Sequence, residues 1–188
     1  MSGRRAVALA ATLGALAACQ TAEVAVREPA VDTRVAMVAG VNPAVATIWD
    51  ITNAAMDEGG ELDPALMDDG AWTRLREAAQ TLEEVSQEMA AARVIRAGGP
   101  NLINGEVPAG AASRAEIQAM IDADPDGFRA EARDLAERAR LLVDAARARD
   151  FAAAGHRAGE IDAPCQSCHT RYWYKQDPQQ PDGGRPKG

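Results

Sequence analysis

Apolar side chains recur along this chain at alternating spacings of three and four, the pattern of helices that each bury one stripe. The first stripe runs Met37, Val41, Ala44, Ile48, Ile51, Ala55. A second runs Trp72, Leu75, Ala79, Leu82, then Val85 or Ser86, and Met89. The third is Phe128, Ala132, Leu135, Ala139, Leu142, Ala146, and the fourth Phe151, Ala154, Ala158, Ile161, Cys165, Cys168, Tyr172. Short connections at 57–68 and 147–150 predict an antiparallel four-helix bundle. No alternating pattern long enough for a useful strand interrupts it, so the expected fold class is all-α.

Turn and cap residues agree with these boundaries. Gly59-Gly60 and Pro64 separate the first two helices, and Asp68 or Asp69 is available to cap the second. Asp124-Pro125 offers an N-cap followed by proline in the first turn of the third helix, and Asp150 can restart the chain into the fourth. Pro43 and Pro164 fall inside the stripes and predict kinks or restarts, because each lacks an N–H and crowds the preceding turn. Between helices 2 and 3, residues 97–112 are rich in Gly and Pro yet carry Leu102, Ile103 and Val107. Ser113 and Glu116 then form a capping box for a short helix through Ile117, Met120 and Ile121. Loops this long are often functional. This one joins helices 2 and 3 at the end of the bundle that carries Cys165 and Cys168, and its apolar residues are expected to cover whatever is bound there and limit access from solvent. Residues 19–32 read as a tether, 33–175 as the bundle domain, and 176–188, rich in Pro, Gln and Gly, as a disordered tail.

Composition adds three points. Hydrophobic residues make up 47% of the chain but aromatics only 4%, so its helices pack through small side chains, and a bound cofactor would add apolar area to such a core. Arg4 and Arg5 followed by the uncharged apolar run Ala6 to Ala18 read as a secretory leader, too short to span a bilayer. It ends in Leu16-Ala17-Ala18-Cys19, which resembles a bacterial lipobox. That resemblance implies cleavage after residue 18 and acylation of Cys19, while an ordinary signal-peptide cut near Ala15-Leu16-Ala17 would leave Cys19 inert. Removing the leader takes away two arginines and no acid, moving the net charge from −8 to −10. So acidic a chain is not built for nucleic acid and fits better with solubility, or with docking onto a basic protein partner.

The chemistry lies in Cys165-Gln166-Ser167-Cys168-His169, the C-x-x-C-H signature of covalent haem attachment. Residues three apart on a helix face the same way, so both thiols reach one edge of a single porphyrin. The adjacent His169 then brings its imidazole to the iron. The competing readings fit worse. A redox C-x-x-C belongs in a βαβ setting, and a structural zinc takes four ligands where only His156 remains besides these three. A Cys165–Cys168 disulfide would be strained on a helix.

With an exported four-helix bundle and a C-terminal C-x-x-C-H, residues 33 to 175 resemble the class II cytochromes c, which include cytochromes c′ and the cytochromes c556. Tyr172, three residues after His169, matches the family's aromatic and is expected to pack on the haem. Position 173 is Trp where cytochromes c′ commonly carry a basic residue. The resemblance implies one covalent haem c with its iron held by His169. The sixth ligand decides the function, since His plus Met favours electron transfer and His alone leaves iron open to gases. Bundle topology brings Met37 and Met89 to the haem end, with Met120 a further candidate; Met56, Met67 and His156 fall at the other end. Relatives of the c556 type take methionine from early in the first helix, which makes Met37 the expected ligand. Trp49 is expected to be core packing, Trp72 structural, and Arg171 and Lys175 either propionate partners or a solvated basic face. The expected function is a periplasmic one-electron carrier that transforms no substrate. It is expected to be lipid-anchored to the outer (or inner) membrane and to exchange electrons with redox protein partners. The resemblance also allows a homodimer through helix faces. The alternative is a five-coordinate binder of nitric oxide or carbon monoxide.

Overall fold

The computed structural model describes residues 28–57, 61–98 and 110–175. The leader, Cys19, the centre of the long connection and the tail from 176 lie outside them. The described residues are mostly helical. Strand β1 (Ala30–Asp32) leads into helix α1 (Thr33–Val35), a π-helical segment (Ala36–Val41) and α2 (Asn42–Ala55). Then follow α3 (Asp69–Ala91), β2 (Val94–Arg96), α4 (Arg114–Ala123), α5 (Pro125–Ala148), α6 (Phe151–Gly159) and α7 (Asp162–Tyr172).

Each helix start has a local cause. Asp68 caps α3 by accepting from the Ala71 N–H at 2.7 Å, and Asp150 caps α6 by accepting from the Ala153 N–H at 3.0 Å. The expected capping box is formed, with Ser113 and Glu116 bonded reciprocally at the start of α4. Those bonds from Ser113 hold the Glu116 carboxyl below its ordinary value of 4.5. A depressed acid stabilises the fold above its unfolded pKa and loses that effect as pH falls through its folded one. The first turn of α4 should therefore fray as the pH drops below about 4.5, read as lost amide-exchange protection at residues 116–118, and Glu116→Gln should remove the pH dependence.

The two prolines act differently. The nitrogen of Pro164 cannot donate to the Glu160 carbonyl four residues earlier. The expected fourth helix accordingly breaks at Glu160–Ile161 into α6 and α7, and the Glu160 carbonyl accepts instead from Arg138 at 3.5 Å. Before Pro43 the chain widens into the π-helical segment, in which the Asn42 N–H donates to the Met37 carbonyl.

Helices α3 and α5 make the most extensive pairing, with α2 against α3 and both α6 and α7 against α5. Arg149 at the end of α5 pairs with Asp69 at the start of α3 at 2.7 Å. At the other end Arg129 Nε donates to the Ala92 carbonyl at 2.8 Å. Ile48, Leu75, Leu82, Leu142 and Ile161 are completely buried between these helices. Ser86 rather than Val85 takes the inward position of its stripe, and its buried hydroxyl finds no hydrogen-bond partner among the described residues.

One element was absent from the expected all-α plan. The last residues of the expected tether, Ala30–Asp32, pair in parallel with Val94–Arg96. Two three-residue strands are too short to leave an alternating pattern. Their pairing is backed by Gln118, whose amide accepts from the Ala97 N–H at 2.7 Å and donates to the Ile95 carbonyl at 3.1 Å. The ladder ties the chain entering the first helix to the chain leaving α3.

Candidate functional site

Helix α7 carries Cys165 and Cys168 three residues apart, both partly buried and both free thiols. His169 follows near the helix end, where the Trp173 and Tyr174 N–H groups both donate to its carbonyl at 2.9 and 3.1 Å. Its imidazole sits between two aromatic rings, with centroids 6.2 Å away at Trp173 and 6.5 Å away at Tyr174.

These three side chains border a cavity of about 320 Å³. The π-helical segment supplies Met37 to its wall, the last turns of α3 supply Met89, and the first turns of α5 supply Phe128 and Glu131. Val41, Val45 and Leu135 make much of the remaining wall apolar. A second cavity of about 260 Å³ adjoins it, sharing Met37, Asn42, Phe128, Cys168 and His169, and Ile117 and Ile121 of α4 help to line it. Burial, helped by the Asp162 charge, raises the Cys165 pKa. Burial chiefly, and then the Glu131 charge, pushes Cys168 up to about 12. Burial lowers the pKa of His169, which favours the neutral imidazole, the form with a lone pair for a metal.

The expected residues separate into those at this site and those elsewhere. Met37 lines both cavities, and Met89, 2% exposed, lines the first. Met120 packs against the core and lines neither, and Met56 and Met67 are likewise outside both linings. Tyr172 is buried edge-to-face on Phe128 with centroids 5.6 Å apart, and it borders only the second cavity. Its hydroxyl donates to the Asp124 carbonyl at 3.1 Å. Arg171 forms ion pairs with Asp124 and, at 3.8 Å, with Glu131. Trp72 is buried against Phe151, away from the cavities.

Trp49 departs from its expected place. It is 38% exposed and lines the first cavity, because its neighbour Ile48 takes the core stripe and one helical step turns Trp49 out to the cavity edge. Sequence reasoning also missed Asn42 and Glu131. Glu131 sits one position before the stripe residue Ala132, and nothing local marks it as a cavity residue. It accepts from the Ser167 hydroxyl at 2.9 Å and so ties the middle of the C-x-x-C-H segment to α5.

Residues 103–173 match the family model described as Cytochrome C'. Over that stretch, 71 of the 188 residues, the chain is similar to the cytochromes c′. No curated protein and no solved structure matches the chain. Cytochromes of this family bind haem c covalently, with its iron. The residues here fit such a group. Two thiols one turn apart, a neutral imidazole beside them and an apolar double cavity offer covalent anchors, an iron ligand and a dry seat for a flat macrocycle. Cys165 and Cys168 would hold the haem edge and His169 the iron.

Asp124 braces the C-x-x-C-H segment from α5. Its carboxylate caps α5 through the Gly127 N–H at 2.9 Å and pairs with Arg171. Asp124→Ala should lower unfolding stability by about 1–2 kcal/mol, loss of the cap being the larger part. A urea midpoint unchanged from the parent protein would contradict that role.

Proposed function

We propose that this protein is a class II cytochrome c and a one-electron carrier, in which His169 and Met37 are the two axial ligands of the iron. The observation that carries the reading is that Met37 and His169, from separate helices, line the same pair of cavities. The haem, when bound, supplies the Fe(III)/Fe(II) couple. The chain's part is to orient and exclude. Cys165 and Cys168 hold the macrocycle, the two hydrogen bonds to the His169 carbonyl steady its backbone, and Val41, Val45, Phe128 and Leu135 keep water from the cavity. A thioether sulfur at Met37 would occupy the position otherwise open to a gas and raise the potential. No substrate is transformed.

In this reading the helices form an antiparallel four-helix bundle, which the Asp69–Arg149 and Ala92–Arg129 contacts at opposite ends of α3 and α5 support. The described end of the long connection, from residue 110, lies at the haem end. There the Ala112 N–H donates to the Trp173 carbonyl at 2.9 Å, just after the C-x-x-C-H segment. The protein works in the periplasm, tethered through acylated Cys19, and passes electrons to basic redox proteins that complement its negative charge.

The test is the absorption spectrum of the haem-loaded protein, oxidised and reduced, with and without carbon monoxide. A low-spin spectrum with the far-red methionine-to-iron charge-transfer band and no response to the gas is expected. A high-spin spectrum that shifts with carbon monoxide would overturn the reading and leave a gas binder.

A further inference from the structure

Gly40 lies in the π-helical segment, buried, with its α-carbon hard against α3. A Cβ at this position would stand 2.6 Å from one methyl of Val85 and 3.1 Å from the other. Val85 is β-branched on a helix, where its side chain is confined to essentially one rotamer and cannot swing clear. Any residue larger than glycine would therefore lever the π-helical segment away from α3. Three residues earlier in the same segment is Met37, whose carbonyl accepts the wide hydrogen bond from Asn42. Directly after Asn42 comes Pro43, which has no N–H to restore an ordinary helical register upstream. With its C-terminal side set by Pro43, the segment would take up the displacement at its other end, where Met37 meets the cavities.

We propose that Gly40 is the positioning residue for Met37: its contact with Val85 seats the π-helical segment at the depth where the methionine reaches the iron. This rests on the assignment of Met37 as axial ligand.

The experiment compares the haem-loaded full chain with Gly40→Ala, Val85→Ala, the double variant, Met37→Ala, and Gly159→Ala as a control glycine with open space around it. Readouts are the far-red band, carbon monoxide affinity and the thermal midpoint. Gly40→Ala should lose most of the band and bind carbon monoxide about ten-fold or more tightly, since the competing ligand no longer holds the site. Adding Val85→Ala should restore the band by making room for the new methyl group, while Gly159→Ala should match the parent.

A folded Gly40→Ala protein with an unchanged band overturns the proposal, as does a double variant that stays without it. Should Gly40→Ala fail to take up haem, the double variant decides alone. If Met37→Ala retains the parent's band, Met37 is not the ligand, and the underlying assignment has failed. If Met37→Ala loses the band while Gly40→Ala keeps it, only the role of Gly40 has failed.

Discussion

A chain with both Cys165 and Cys168 replaced by alanine should carry no haem through a denaturing gel, where the parent protein stains as one haem-bearing band. The expectation follows from where the thiols are. They are free, three residues apart on α7 and on the wall of one cavity, so among the described residues these two are the thiols that can link a haem covalently. His169 and the apolar lining remain in the double variant and would still bind haem reversibly, but detergent removes what is merely coordinated. Each single variant should keep one link and a weaker band. Folding should suffer too, because a group that binds only the native state stabilises it in proportion to how tightly it is held. Loss of the tether should therefore lower the thermal midpoint of the native protein at low haem concentration. Haem retained by the double variant on the gel would show that attachment lies elsewhere.

On the proposed His169/Met37 ligation, replacing Met37 by alanine should open the iron to carbon monoxide, with the far-red band abolished and the reduction potential lowered. Met37 is the natural residue for this test because it borders both cavities beside His169. Met89 is the control. It borders the first cavity but is 2% exposed in the core at the end of α3, so Met89→Leu should keep the band. Should Met89→Leu lose the band and Met37→Ala keep it, the ligand assignment passes from one methionine to the other.

The stripes that announced the helices were legible because burial imposes a period on side chains. Leu75, Ala79 and Leu82 lie on one face of α3, and all three are completely buried. Caps were legible because their chemistry is local: Asp68, Ser113, Asp124 and Asp150 each bond an N–H within three residues. The break at Glu160 was legible from the missing N–H of Pro164. Features built from long-range pairings left no such trace. The ladder joining Ala30–Asp32 to Val94–Arg96 is a backbone pairing between distant segments. The place of Glu131 depends on how α7 lies across α5, and no spacing in the sequence records that. Pro43 signalled a disturbance in the first helix, but a kink and a widened turn follow equally from one absent hydrogen bond.

The short ladder has a consequence for reach. It brings the chain in beside Thr33 and Arg34, which border the second cavity, so whatever lies upstream starts from the haem end of the molecule. With Cys19 as the proposed anchor, the eleven steps from it to Ala30 extend about 40 Å at most. On so short a leash the protein would face its membrane mouth-first, within the range of a partner embedded there. A soluble partner would have to enter the gap between the two, so lengthening residues 20–28 should speed exchange with soluble partners and slow it with embedded ones.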